Sequence, residues 1–354
     1  MGYGLTGLRS VTRRREPVRA TLTSGVATRA DPYREGSVNC SAESGDHLVC
    51  RLAGTTGRVS RAGVTAVDVP LRRVEGGDRV DENGTDPRDL LAIAVEVVRV
   101  AAERARRMRA EALGDVSTKT SDTDVVTAAD REVERLAVAR LRAARPHDAV
   151  LGEEFGGAPP GTARVRWLLD PIDGTVNYLY GLPWYAVSLA AEVNGAVVAG
   201  VVRNIVTGQE WTAVAGGGAW RDGLRLHGST RTDLSQALVA TGFAYDPAHR
   251  ARQAAVVAGL LDRVRDIRRF GAAALDLCLA ADGSVDAYFE SGLNPWDYAA
   301  GALIAAEAGL VVAGLNGAPP GPDLLVAAPP ALFGPLHGRL AELHAAVPGP
   351  AAGS

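Results

Sequence analysis

Trp167-Leu168-Leu169-Asp170-Pro171-Ile172-Asp173-Gly174-Thr175 is the stretch around which the rest of the chain arranges itself. At its start, Val165 to Leu168 mix β-branched, aromatic and aliphatic side chains, as a buried strand does. Two aspartates follow three residues apart, with Pro171 and Ile172 between them and Gly174-Thr175 behind. A proline cannot donate to a sheet ladder, so the strand is expected to end where the carboxylates emerge. Hard divalent cations such as Mg²⁺ take oxygen ligands, and two carboxylates at a rigid strand end supply them. Gly174 allows an oxyanion to come close, and Thr175 adds a hydroxyl just beyond. The same residue types also suit a plain turn that the aspartates merely cap. Local sequence leaves both readings open.

Length and composition narrow the class. The 354 residues suffice for a large core and, by length, for about two domains. A hydrophobic share of 47% with 22% charged residues is that of an ordinary globular chain. A formal charge of -3 gives no general attraction to nucleic acid or to an anionic membrane. No apolar run is long enough to span a bilayer. Arg13-Arg14-Arg15 lacks a following apolar stretch, so neither a secretory nor a twin-arginine leader is expected. Cys40, Cys50 and Cys278 fit a reducing cytoplasm better than a disulfide framework. The six histidines are scattered without metal-ligand spacing, which argues against a His/Cys zinc site.

Residues 1–84 differ from the rest. They are rich in Arg, Gly, Thr, Ser and Val and show no sustained period of 3.6 or 2. Thr28 to Gly45 is almost wholly polar and buries too little apolar surface to offset chain entropy. The segment therefore reads as a poorly ordered extension, with one weak alternating run, Val64 to Leu71, as its only strand candidate.

Regular structure is expected from Asp86-Pro87-Arg88-Asp89, an N-cap followed by a first-turn proline and an acid at the positive dipole end. Leu90, Ala94, Val97, Val98, Ala101, Ala105 and Met108 then recur at helical spacing up to Gly114. After Lys119 to Asp124, Thr127 reads as the cap of a second helix with Val133, Leu136, Ala137 and Leu141 as its stripe. That puts Asp130 at the third helical position, where it either serves chemistry or only complements the dipole. Ala149-Val150-Leu151 forms a short strand ending in Gly152-Glu153-Glu154, seventeen residues before Asp170. Carboxylates at two strand ends are how a sheet builds a ligand site, although a solvated loop has the same composition.

From Tyr185 the pattern becomes a meander. Ala186 to Val193, the Asn194-Gly195 turn, Ala196 to Asn204, the Thr207-Gly208 turn and Gln209 to Val214 follow in order. Gly216-Gly217-Gly218 reads as a loop, since no nucleotide-binding glycine fingerprint surrounds it. A helix over His249 to Asp266 comes next, and Arg268-Arg269-Phe270-Gly271 leads into a small-residue helix from Ala272 to Leu279. The free N–H groups at its start suit an anion or a hydroxylated ligand, or simply a close-packed core. Val285 to Phe289 is a strand ending at Glu290. Asn294-Pro295-Trp296-Asp297 opens a helix over Tyr298 to Ala308, and Leu324 to Ala328 and Ala331 to Ala346 are the last strand and helix. The tail, Pro348 to Ser354, is small and loose in composition.

These motifs together resemble the inositol monophosphatase family of Mg²⁺-dependent, lithium-sensitive phosphatases. The resemblance rests on Asp124 to Asp130, Gly152-Glu153-Glu154, Trp167 to Thr175, Gly271 to Leu277 and Asn294 to Gly301, in the family's order, over about residues 86–345. It implies the layered αβαβα fold of inositol monophosphatase and fructose-1,6-bisphosphatase, an α+β half (85–225) followed by an α/β half (226–346), and a homodimer. Carried over residue by residue, it implies two or three Mg²⁺ ions on Glu153, Asp170, the Ile172 carbonyl, Asp173 and Asp297. Asp130 and Thr175, with Glu153, match the residues that position and deprotonate the attacking water. Asp173, Gly174, Thr175, Gly271, Ala272, Ala273, Glu290 and Asp297 match substrate contacts.

Two positions depart from the family's pattern. Ala272 stands where a Ser or Thr is usual, and Leu310 replaces a glycine after Glu307-Ala308-Gly309. The expected activity is hydrolysis of a small polyol phosphate, inositol 1-phosphate first, in the cytoplasm, without nucleic acid or membrane as partner. The fold also carries phosphatases of histidinol phosphate, fructose 1,6-bisphosphate and 3'-phosphoadenosine 5'-phosphate. Ala-Leu-Asp-Leu after Ala273 leans towards the inositol branch, and Arg268-Arg269 offers no evident second-phosphate site. An idle, interaction-only member is the reading from a different class.

Overall fold

Two units divide the chain, Met1–Val69 and Pro70–Ser354. The computed structural model describes residues 39–43, 47–52, 55–58, 85–114, 122–157, 161 and 163–347. In the first unit, β1 (Asn39–Glu43), β2 (His47–Leu52) and β3 (Thr55–Arg58) form an antiparallel three-stranded sheet. These strands fall within the stretch read from sequence as a poorly ordered extension. Adjacent short strands satisfy their own backbone groups locally, which needs no long hydrophobic period. The Val64 to Leu71 run and the 348–354 tail lie outside the described residues.

In the second unit, α1 (Pro87–Gly114) starts where Asp86 predicts, with the Asp86 carboxylate accepting the Arg88 N–H at 2.8 Å. Helix α2 (Asp122–Ala144) begins before Thr127, which is therefore inside the helix and not its cap. Asp130 then lies in the third turn, too far from the N-terminus for dipole stabilisation to explain it.

The large sheet comprises β4 (Ala149–Gly152), β5 (Gly156–Gly157), β6 (Val165–Asp173), β7 (Ala186–Val193), β8 (Ala196–Asn204), β9 (Glu210–Val214), β10 (Gly218–Arg221) and β11 (Leu224–Arg225). Its order is β11-β10-β9-β8-β7-β6-β4-β5, antiparallel except for β4 beside β6. Asn194 and Gly195 both adopt positive φ, the primed turn that matches the twist of the flanking strands. The glycine loop is partly a strand, since β10 begins at Gly218.

Strand β6 does not stop at Pro171. Asp170 pairs with Ser188 and Asp173 with Ala186, so three steps on β6 face two on β7. That extra residue is a β-bulge, where a proline costs no ladder hydrogen bond. Short α3 (Thr175–Tyr180) follows directly.

The second sheet holds β12 (Leu238–Thr241), β13 (Asp266–Arg268), β14 (Ala287–Glu290), β15 (Val311–Ala313) and β16 (Leu325–Ala328) in the order β13-β12-β14-β16-β15. Helix α4 (Pro247–Leu260) is shorter than its apolar pattern suggests. Asp246 caps its start, and 266–268 becomes an edge strand parallel to β12. Helices α5 (Ala273–Ala281), α6 (Pro295–Glu307) and α7 (Pro330–Ala346) complete the unit.

Alternation along the strands sorts the side chains into three cores. Trp167 and Leu169 join α1 and α2 on one face of the large sheet, while Leu168 joins α5 and α6 on the other. In the second sheet Ala240, Tyr288 and Ala327 face α5 and α6, and Val239, Phe289 and Val326 face α4 and α7. The layers are thus αβαβα, as the motifs imply.

Candidate active site

The β6 bulge decides which way the carboxylates point. Along a regular strand, residues three apart fall on opposite faces. Here Leu168 faces the α5/α6 core, Ile172 turns to the α1/α2 core, and the extra residue brings Asp173 back to the side of Asp170. Both carboxyls border one cavity of about 210 Å³. Glu153 reaches it from the end of β4, Glu290 from the end of β14, and Asp297 from the first turn of α6. Ile172, Gly174, Thr175, Gly271 and Ala273 complete the expected lining.

The contacts are specific. Asp173 accepts the N–H groups of Ala273 and Ala274 at 3.1 and 2.8 Å. Ala272, the N-cap of α5, has no side chain able to do this. Asp297 accepts the Asn294 N–H at 2.7 Å, and Tyr288 donates its hydroxyl to Glu290 at 2.6 Å. Gly174 has φ 87, and a side chain there would press on Trp184 and Ala272 at about 3 Å. Asn177 donates to the Trp184 and Phe270 carbonyls at 2.7 and 2.8 Å, which ties α3 to the Gly271 loop.

Electrostatics single out the same groups. Burial, then the neighbouring Asp297 and Glu154, push Glu153 up to about 7. Asp170 and Asp173 are driven well above the usual carboxylate range by burial and by the surrounding acids. Burial lifts Glu290 to about 7 and Asp297 to about 6.

Asp130 and Ala272 do not line the cavity. Asp130 lies buried behind it, lifted to about 8 by burial and then by Glu153, Glu154 and Glu134, with Oδ1 lacking a hydrogen-bond partner. Among the described residues no hydrogen bond joins Asp130 to Thr175. The Thr175 hydroxyl donates to the Ile172 carbonyl at 3.1 Å instead.

Tyr245, Arg269, Ser291 and Asn294 also border the cavity; Tyr245 and Ser291 carry no signal in the sequence, whereas Asn294 belongs to a quoted motif and Arg269 to the basic pair. The basic pair divides: Arg268 is bound to Asp266 at 2.6 Å, whereas Arg269 is the one basic side chain among the described residues that line the cavity. Its place two residues before Gly271 was the available clue.

These motifs in this geometry match one known family: the profile of the inositol monophosphatase family covers residues 86–347. The chain belongs to that family. It is 46% identical over 282 residues to inositol-1-monophosphatase of Mycobacterium leprae, covering 74% of this chain and 97% of that protein. It is 38% identical to the Nus factor SuhB of Escherichia coli K12, covering 64% and 86%. The solved structure of Mycobacterium tuberculosis SuhB superposes with a TM-score of 0.63 at 41% identity, covering 73% of this chain and 98% of that one.

The residues present suit a hard divalent cation. The donors are carboxylate and carbonyl oxygens, the set that Mg²⁺ takes. The Asp170 Oδ1 atom is buried and without a hydrogen-bond partner. Among the described residues, no three acidic, imidazole or thiol groups close on one point. Backbone N–H groups hold Asp173 and Asp297, yet a carboxylate oxygen keeps a second lone pair beside such a bond.

Proposed function

We propose that this family member is a Mg²⁺-dependent phosphomonoesterase acting on a small polyol phosphate, with inositol 1-phosphate as first substrate, giving inositol and phosphate. The observation that carries the reading is the β6 bulge, which turns Asp170 and Asp173 to one side, facing Glu153 and Asp297 across the cavity. Glu153, Asp170, the Ile172 carbonyl, Asp173 and Asp297 would hold two or three ions. When bound, Mg²⁺ supplies Lewis-acid stabilisation of the phosphoryl charge and a water of lowered pKa.

The chain's own groups do the rest. Backbone N–H groups of Gly174 and Thr175 receive the phosphate oxygens. Asp130, with Thr175 as relay, accepts the proton of the attacking water. The leaving hydroxyl belongs to the polyol, whose remaining hydroxyls meet Glu290, Asp297 and the Gly271 to Ala273 turn. Ala272 offers no hydroxyl there, so other polyol phosphates compete.

The protein acts in the cytoplasm as a homodimer, without nucleic acid. Tyr180 at the end of α3 and Leu182 just beyond it, 76% and 54% exposed, support a paired surface. No helix among the described residues is long and apolar enough to cross a membrane. Cys278 is buried and free, in keeping with a reducing compartment.

Phosphate release from inositol 1-phosphate, fructose 1,6-bisphosphate, histidinol phosphate and 3'-phosphoadenosine 5'-phosphate, with Mg²⁺ and with or without Li⁺, tests the reading. Fastest Mg²⁺-dependent, Li⁺-inhibited release from inositol 1-phosphate is expected. No release from any of the four overturns it in favour of the idle module.

A further inference from the structure

We infer that Glu134 is the positioning residue that aims Glu153 at the cavity. This rests on Glu153 being a metal ligand, as proposed above. Glu134 lies on α2 one turn after Asp130 and is 1% exposed. Its Oε2 accepts the Glu154 N–H at 2.8 Å and its Oε1 accepts the Phe155 N–H at 3.2 Å. These are the two N–H groups that follow Glu153 in the chain. A bidentate clamp on two successive amides fixes the plane of the turn, and with it the direction of the Glu153 side chain. The contact is close on the other side of Glu153 as well. Gly152 has ordinary backbone angles, yet a Cβ there would run into the Glu134 carboxylate. A side chain at 152 would therefore displace the Glu134 carboxylate without straining the backbone.

The arrangement is expensive if its only purpose is stability. Among the described residues Glu134 has no ion-pair partner within 4 Å, while Asp130, four residues earlier on the same helix, and Glu154 are acidic neighbours. A neutral acceptor would cap one amide at lower electrostatic cost. A carboxylate alone offers two equivalent oxygens to two donors at a fixed angle. Arg131 adds a second tie from α2, an exposed ion pair to Glu154 at 3.2 Å. Helix α2 thus carries Asp130 and, one turn on, the clamp for Glu153, so one rigid element fixes both acids relative to each other.

The test is Mg²⁺ binding to the full chain by isothermal titration calorimetry, together with the metal-free thermal midpoint. Wild type, Glu134→Gln and Gly152→Ala are compared. Gln keeps the size but turns an N–H toward one amide; the alanine methyl pushes the same carboxylate from the other side. Both variants are expected to bind Mg²⁺ about 10- to 100-fold more weakly, the usual effect of disturbing a group that orients a ligand. The Glu134→Gln midpoint without metal should stay close to that of wild type, because the amide that loses its acceptor and the buried charge that is removed act in opposite directions. A merely structural role predicts the reverse pattern, a lower midpoint with unchanged Mg²⁺ affinity, and that result overturns the inference. If Glu134→Gln fails to fold, Gly152→Ala decides by its affinity alone. Wild type that binds no Mg²⁺ removes the metal reading and this inference together; wild-type binding matched by both folded variants removes only this inference.

Discussion

The carboxylate of Asp173 caps a helix that begins a hundred residues later, accepting the N–H of Ala274 at 2.8 Å from the end of a different sheet. The neighbouring Ala273 N–H binds the other oxygen at 3.1 Å. An N-cap is normally supplied by the residue just before the helix, and here that residue is Ala272. One side chain therefore serves the cavity and the start of α5 at once. Asp173→Ala should lose activity and also destabilise the fold by about 1–3 kcal/mol, because two buried amides lose their acceptor. Urea unfolding checks this. A fully stable, inactive variant would show that the cap carries no weight.

Asp170 and Asp297 separate function from stability. Asp170→Asn or Asp297→Asn should cut phosphate release from inositol 1-phosphate by at least about a hundredfold, as when one preorganised electrostatic group is removed. Asp170 is buried with Oδ1 unpartnered, so its amide should leave the metal-free thermal midpoint unlowered. Steady-state kinetics and calorimetry on the same samples report both quantities.

Asp276 predicts a pH dependence of stability. It is fully buried on α5, accepts the Trp184 indole N–H at 2.9 Å through Oδ1, and is pushed up to about 8 mainly by burial. The unfolded carboxyl titrates near 3.8. Between those values the native state keeps a proton that the unfolded state releases, so stability falls as pH rises through the window. Asp276→Asn keeps the indole acceptor and cannot ionise. It should flatten the decline between about pH 4 and 8, by an amount on the order of a few kcal/mol. Denaturation midpoints across that range test the sign: parallel curves for the two proteins would refute it.

Arg166 and Glu192 form a buried pair across β6 and β7, 7% and 8% exposed, with bonds of 3.1 and 2.7 Å. Glu192→Ala strands a buried guanidinium and should cost about 3–5 kcal/mol. Replacing both with apolar residues, Arg166→Met with Glu192→Leu, should recover most of that loss. A double-mutant cycle by chemical denaturation measures the recovery.

Much of the fold is legible locally. Asn194-Gly195 between two apolar runs marks β7 and β8 to the residue, and Asp86-Pro87 marks the start of α1. The elements that escape are those with weak or borrowed signals. Strands β12, β13 and β15 are three or four residues long, too short for a period to show, and are strands because a neighbour pairs with them. The apolar pattern after His249 runs past the end of α4 because the chain stays apolar while it turns toward the sheet.

By itself, the sequence determined most of the helices and the long strands, since periodicity, caps and turn residues are local properties of the chain; the layer order and the site residues were implied by the resemblance of its motifs to a family. Glu153, Asp170, Asp173, Glu290 and Asp297 all border one cavity. Only the tertiary structure decided how those groups are aimed. Residues 170 and 173 belong on opposite faces of a regular strand, and the bulge opposite Ser188 and Ala186 is what turns both to one side. The Asp173 cap on α5 and the Glu134 clamp on the turn after Glu153 join segments 101 and 20 residues apart. Such pairings depend on where separate elements meet in space, and no local pattern along the chain encodes that meeting.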